Sequence, residues 1–189
     1  RTFSTACRMI EQHDNYYFSC SQPQHYAFTK QYYPEVYRQI KKWVAAGRWG
    51  TDGAMWVEPD CNVTSGESLV RQILYGLQFF RREFNTTTRM CWLPDVFGYN
   101  AALPQILKRS GIDFFYTYKL HWQSENPFPY TLFAWRGLDG SDVTAHIPNG
   151  VRGYNGDSTP EYLHWGWSWY RQKDLHPESL LPYGYGDGG

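Results

Sequence analysis

The stretch Trp92-Leu93-Pro94-Asp95-Val96-Phe97-Gly98-Tyr99 places one carboxylate directly after a short apolar run and between bulky rings. Pro94 favours an extended conformation of the residue before it and so predicts the end of a strand here. Gly98 allows the backbone to turn sharply afterwards. Asp95 is therefore predicted at a strand tip. It either caps the next helix or bonds loop amides, or it acts as a ligand or nucleophile, and spacing alone leaves these interpretations open.

Strand-like and helix-like segments alternate on both sides of this stretch. Strands are predicted at 16–20, 49–57, 89–93, 113–118, 132–135, 143–147 and 180–183, and helices at 34–46, 65–84, 101–109 and 160–173. Such alternation predicts mostly parallel strands connected by crossover helices, and hence an α/β fold. Two helix starts carry capping signals, Thr64 with Glu67 and Ser158 with Glu161.

Other polar residues follow other predicted strands. Glu58 and Asp60 suit a metal or sugar-hydroxyl site, or an ordinary solvated loop. Asp187 lies in a glycine tract, which either approaches a ligand closely or forms a turn. Lys119 suits an anion or hydroxyl contact, or an ordinary strand end. Because active sites gather at the carboxyl ends of parallel strands, we expect these residues and Asp95 to share one face.

Composition limits the classes of function. The formal charge of zero gives no sign of a nucleic-acid surface, and no apolar run reaches the roughly 18 residues of a membrane span. The 9 Trp, 16 Tyr and 11 Phe suit a ring-rich core or a sugar-binding cleft. The 4 cysteines form no CxxC pair; we expect buried reduced thiols and a cytoplasmic location. The 6 histidines have no metal-ligand spacing of their own.

Around Asp95 the sequence resembles the retaining α-mannosidases of glycoside hydrolase family 38, in particular their cytosolic and bacterial branch. The matching runs extend from end to end: 1–3, 20–24, 56–62, 65–72, 92–99, 104–106, 139–141, 154–157 and 184–189. The resemblance implies that residues 1–189 are part of an N-terminal catalytic domain whose fold is a distorted (β/α)7 barrel. With no initial Met and a glycine-rich end, we interpret the chain as a fragment truncated at both ends.

The resemblance also implies roles for single residues. It makes Asp95 both the nucleophile and a metal ligand, with Asp187 as the candidate general acid/base. It also implies that Lys119 and Asp60 bind the substrate. To these we add the rings of Trp92 and Phe97 as substrate-binding residues.

The implied reaction is a metal-dependent, retaining hydrolysis of terminal α-D-mannosides through a covalent mannosyl-Asp intermediate. The implied metal is Zn²⁺, with Co²⁺ as an alternative, and the implied partners are mannose-containing oligosaccharides, in a family whose members are often oligomeric. The family's upstream His-x-Asp pair and downstream histidine are not in this sequence. We therefore expect the isolated fragment to be largely inactive. The alternative function is non-catalytic carbohydrate binding, or a degenerate remnant of such a domain.

Overall fold

The computed structural model describes residues 1–123, 125–126, 128–148 and 155–184. Its helices are α1 (Thr2–Gln12), α2 (Pro23–Tyr32), α3 (Pro34–Ala45), α4 (Gly66–Phe84), α5 (Leu103–Arg109) and α6 (Pro160–Trp169), with a 3-10 turn at Lys119–Trp122. Its strands are β1 (Phe18–Ser19), β2 (Trp49–Gly50), β3 (Met90–Trp92), β4 (Phe114–Tyr116), β5 (Leu132–Arg136) and β6 (Asp142–His146).

The strands form two separate sheets within the described ranges. β1 and β2 pair in parallel. The other sheet has the order β3-β4-β6-β5, with β3, β4 and β6 parallel and β5 antiparallel to β6. The predicted α/β fold with mostly parallel strands is therefore confirmed. The described residues do not close into a barrel, so the distorted (β/α)7 barrel stays a prediction.

Helix α4 links the two halves of the core. Its N-terminal half buries Leu69 and Ile73 in a cluster around the four-stranded sheet. Its C-terminal half buries Phe79 and Phe80 in a second, aromatic cluster with α1, α2 and α3. Each such side chain contributes about 1.5–3 kcal/mol through removal from water.

The predicted helix caps lie one residue away from the observed ones. Ser65, not Thr64, accepts the hydrogen bond from the Ser68 N–H, and Thr159, not Ser158, accepts from the Tyr162 N–H. Ser65 and Thr159 have the extended backbone of an N-cap, and each hydroxyl reaches the third residue beyond it.

The predicted strand 49–57 stops at Gly50 because the next segment bonds to α4 instead of a neighbouring strand. The Trp56 N–H donates to the Gln72 carbonyl at 3.0 Å, and the Val57 N–H donates to the Gln72 side chain at 3.0 Å. The predicted strand 180–183 is reduced to a single bridge between Gly156 and Tyr183. No helix among the described residues is long and apolar enough to cross a membrane.

Candidate active site

A cavity of about 440 Å³ opens beyond the carboxyl end of β3. It gathers carboxylates, an amide and an aromatic ring from three parts of the chain, and is lined by Gln22, Glu58, Asp60, Asp95, Val96 and Phe97. Its walls come from the loop before α2, the segment bonded to α4, and the loop after β3. The sequence predicted that Asp95 and Asp60 share one face, and both residues line this cavity.

Asp95 faces this cavity with its side chain 52% exposed. Its Oδ1 lies 2.7 Å from the Nζ of Lys119, whose side chain is only 5% exposed. Lys119 begins the 3-10 turn that follows β4, the strand next to β3. A buried ammonium group requires an anionic partner, and a neighbouring cation favours the charged form of a carboxyl group. The pair therefore suits an ionised carboxylate presented to a ligand.

Glu58 holds the backbone of the same residue. Its Oε2 accepts a hydrogen bond from the Asp95 N–H at 3.3 Å, and its Oε1 accepts one from the Gln22 side-chain amide at 3.3 Å. Burial raises the pKa of Glu58 to about 7, and the Asp95 carboxylate acts in the same direction, while both hydrogen bonds oppose the rise.

Tyr99 stabilises the conformation of the loop after β3. Its hydroxyl lies 3.0 Å from the Leu93 carbonyl and 2.9 Å from the Val96 carbonyl, and also bonds to the Thr117 hydroxyl. The Tyr99 ring packs edge-on against Phe115 of β4, with ring centroids 5.0 Å apart. The turn that carries Asp95 is thus held against β4 by the contacts of Tyr99.

The other predicted substrate residues occupy different surroundings. Asp60 lines the cavity, but its Oδ1 accepts hydrogen bonds from the Asn62 and Val63 N–H groups, which lower its pKa. Phe97 is 70% exposed, and the Lys119 Nζ lies 4.9 Å from its ring centroid. Trp92 is not a lining residue: its indole stacks on the Tyr116 ring, with centroids 3.7 Å apart.

Two predictions extend beyond what this geometry tests. Asp187 lies outside the described residues, so its role as general acid/base stays a prediction. Among the described residues, no group of three or more His, Cys, Asp or Glu side chains is arranged to hold a metal ion. Asp95 is thus a possible single ligand, not a complete site.

Sequence reasoning left Gln22 and Tyr99 out of the site, and placed Glu58 there only as a loop acid beside Asp60. The available signal for Glu58 was its position after a strand-like run, two residues before Asp60. The matches at 20–24 and 92–99 included the other two residues without indicating a function for either. Gln22 reaches Glu58 across 36 residues of the chain, and Tyr99 reaches Thr117 across 18 residues.

The chain matches the family described as glycosyl hydrolases family 38 N-terminal domain over residues 1–189. It is 42% identical over 189 residues to alpha-mannosidase G of Dictyostelium discoideum, covering 100% of this chain and 17% of that protein. It is 41% identical over 189 residues to alpha-mannosidase 2C1 of Mus musculus, covering 100% of this chain and 18% of that protein. The chain thus spans less than a fifth of these relatives.

Solved structures share the fold. An alpha-mannosidase from Enterococcus faecalis V583 superposes with a TM-score of 0.70 at 22% identity, over 87% of this chain and 19% of that chain. The 4-alpha-glucanotransferase from Thermococcus litoralis superposes with a TM-score of 0.69 at 12% identity, over 95% of this chain and 28% of that chain. At these identities, the likeness concerns the fold alone.

Proposed function

Since this chain belongs to family 38 of the glycosyl hydrolases, we propose that it is part of the catalytic domain of an α-mannosidase. The proposed substrates are mannose-containing oligosaccharides with terminal α-D-mannose. The observation that carries the proposal is the half-exposed Asp95 carboxylate, held by a buried lysine at the wall of a cavity that would accept a sugar.

In the proposed reaction the Asp95 carboxylate attacks the anomeric carbon and forms a glycosyl ester. The bond from that carbon to the leaving oxygen breaks as the oxygen takes a proton from Asp187. Water then cleaves the ester, with Asp187 accepting its proton, and the configuration is retained. This mechanism requires the two carboxyl groups roughly 5–5.5 Å apart.

The chain's own residues support the charge and orientation that this step needs. Lys119 stabilises the carboxylate form of Asp95, which is the form that attacks. The exposed face of Phe97 suits the C–H face of a pyranose ring. The Asp60 carboxylate at the rim suits sugar hydroxyl groups. Trp92, the last residue of β3, stacks on Tyr116 of β4 next to the loop that carries Asp95.

Zn²⁺, or alternatively Co²⁺, remains part of the proposal, but the described residues do not fit a metal site without further ligands. Asp95 would supply one ligand, and none of the proposed steps is assigned to the metal. A cytoplasmic location is also proposed, supported by the four free cysteines Cys7, Cys20, Cys61 and Cys91. Oligomerisation, which is common in the family, stays a prediction.

The nucleophile assignment is tested by Asp95→Asn in the full-length protein. Because the variant has no carboxylate to form the ester, we expect hydrolysis of an aryl α-mannoside to fall by about 10³-fold or more, with zinc or cobalt present. In the wild-type protein, a fluorosugar should form an adduct that peptide mass spectrometry maps to Asp95.

Asp14→Asn is the matched control, because Asp14 is exposed and does not line the cavity. Activity of Asp95→Asn within a few-fold of wild type, or an adduct on another residue, would contradict the assignment. A wild-type protein that binds mannosides without hydrolysing them would favour the alternative, a carbohydrate-binding or degenerate domain.

A further inference from the structure

The carboxylate of Glu58 lines the same cavity as Asp95 and has no role in the proposed reaction. Its two hydrogen-bond partners come from separate segments: Asp95 is 37 residues away along the chain and Gln22 is 36 residues away. Since Pro94 has no N–H, the Asp95 N–H is the first amide donor after the Leu93 N–H, which bonds to the Tyr116 carbonyl at 2.9 Å. Glu58 thus accepts a hydrogen bond from the backbone N–H of Asp95, the residue that carries the reactive carboxylate.

We infer that Glu58 is a positioning residue for Asp95: it holds the backbone N–H of the nucleophile, while Lys119 holds its carboxylate. The inference rests on the proposed function. With its backbone N–H bonded to Glu58 and its carboxylate paired with Lys119, Asp95 has less freedom to move out of its reactive orientation. Displacement of a reacting group by about 1 Å is enough to cost on the order of 100-fold in rate.

The contact of Glu58 is separable from the folding of the loop. Tyr99 already holds the carbonyl groups of Leu93 and Val96, and β3 remains paired with β4 along its length. Loss of the Glu58 acceptor therefore frees the Asp95 amide but leaves the turn in place. A variant of Glu58 can therefore test the positioning of Asp95 without unfolding the loop.

The test compares Glu58→Met, which keeps the side-chain length without an acceptor, with Glu58→Gln, which keeps an acceptor oxygen. Both are made in the full-length protein, beside the control Glu67→Met at an exposed glutamate on α4. We expect Glu58→Met to lower kcat and kcat/KM together by about 10–100-fold with KM little changed. Glu58→Gln should restore the rate to within about 5-fold, since its amide oxygen still accepts a hydrogen bond.

Hydrogen exchange gives a readout that does not depend on activity. In Glu58→Met, the peptide covering residues 93–99 should exchange its amides faster, while Glu58→Gln and Glu67→Met should match wild type. If the methionine variant does not fold, Glu58→Asp retains the charge but withdraws the acceptor, and the same contrast with Glu58→Gln applies.

Three results would overturn the inference. A raised KM with an unchanged kcat would make Glu58 a substrate contact. Faster exchange throughout the protein with a lowered Tm would make its role structural. If the amides of residues 93–99 exchange at the wild-type rate in Glu58→Met, then Glu58 does not hold the Asp95 backbone. An inactive wild-type protein would instead count against the proposed function. The hydrogen-exchange measurement would still show whether Glu58 holds the Asp95 backbone.

Discussion

Lys119 places a buried positive charge beside the Asp95 carboxylate. The Lys119 ammonium lies 2.7 Å from Asp95 Oδ1 and is nearly removed from solvent. Surface ion pairs contribute little because water screens them. Here one partner is buried, so its charge acts on the cavity with much less screening.

Lys119→Met tests this at the scale of the residue. Methionine preserves most of the volume but removes the charge that favours ionised Asp95. We expect kcat/KM for an aryl α-mannoside to fall on the order of 100-fold. Lys108→Met is the control, since Lys108 also pairs with an aspartate, at 2.6 Å, but is 45% exposed. Rates for Lys119→Met within a few-fold of that control would contradict the role.

At the scale of elements, α4 positions the segment that carries Glu58. The carbonyl of Ala54 approaches α4 so closely at Gly76 that a side chain there would collide with it. The backbone and side chain of Gln72 then hold Trp56 and Val57. A helix without direct contact to the cavity thereby determines the position of one of its walls.

Gly76→Ala should therefore destabilise the protein although alanine is the better helix former. Overpacking at a backbone contact costs about 1–3 kcal/mol, more than the gain in propensity of about 1 kcal/mol. Gly66→Ala is the matched control, because its added methyl group meets nothing nearby. Thermal unfolding should show a lower Tm for Gly76→Ala only. Equal Tm values for the two variants would contradict the proposed collision.

At the scale of the whole molecule, parallel pairing brings Trp92, Tyr116 and His146 into one row across β3, β4 and β6. Their rings stack in sequence, Trp92 on Tyr116 and Tyr116 near His146. Burial lowers the pKa of His146 from 6.5 to about 4, and nearby His176 and His121 act in the same direction. The fold therefore holds a neutral imidazole.

The pKa of His146 predicts a loss of stability in acid. The unfolded chain binds a proton at this histidine from about pH 6.5 downward, whereas the folded protein resists until about pH 4. The contribution of His146 to the free energy of unfolding should decrease across this range, by up to about 3 kcal/mol. Denaturant titrations should show a smaller decrease for His146→Gln.

His13→Gln is the control, since His13 is exposed. That variant should keep the wild-type pH dependence of stability. An unchanged slope in His146→Gln would show that other groups govern the acid response. The variant comparison is needed because the pKa of Glu58 is raised from 4.5 to about 7, so that Glu58 contributes with the opposite sign over an overlapping pH range.

Local patterns predicted some elements better than others. The helices at α3, α4 and α5 were predicted because proline starts or an apolar stripe identify them. Helix α1 was missed, since it has neither a proline at its start nor a side-chain cap bond from its N-cap residue Arg1. Helix α2 was missed because its buried positions, Pro23, Tyr26 and Thr29, form no apolar stripe.

The sequence by itself determined the family, the mostly parallel α/β order, and the position of Asp95 at a strand tip, because these depend on motifs and on neighbours along the chain. Only the tertiary structure decided what surrounds that carboxylate. Lys119, Glu58 and Gln22 reach Asp95 or its backbone anchor through contacts between distant segments. No local spacing encodes such contacts, since strand pairing and the packing of α4 create them.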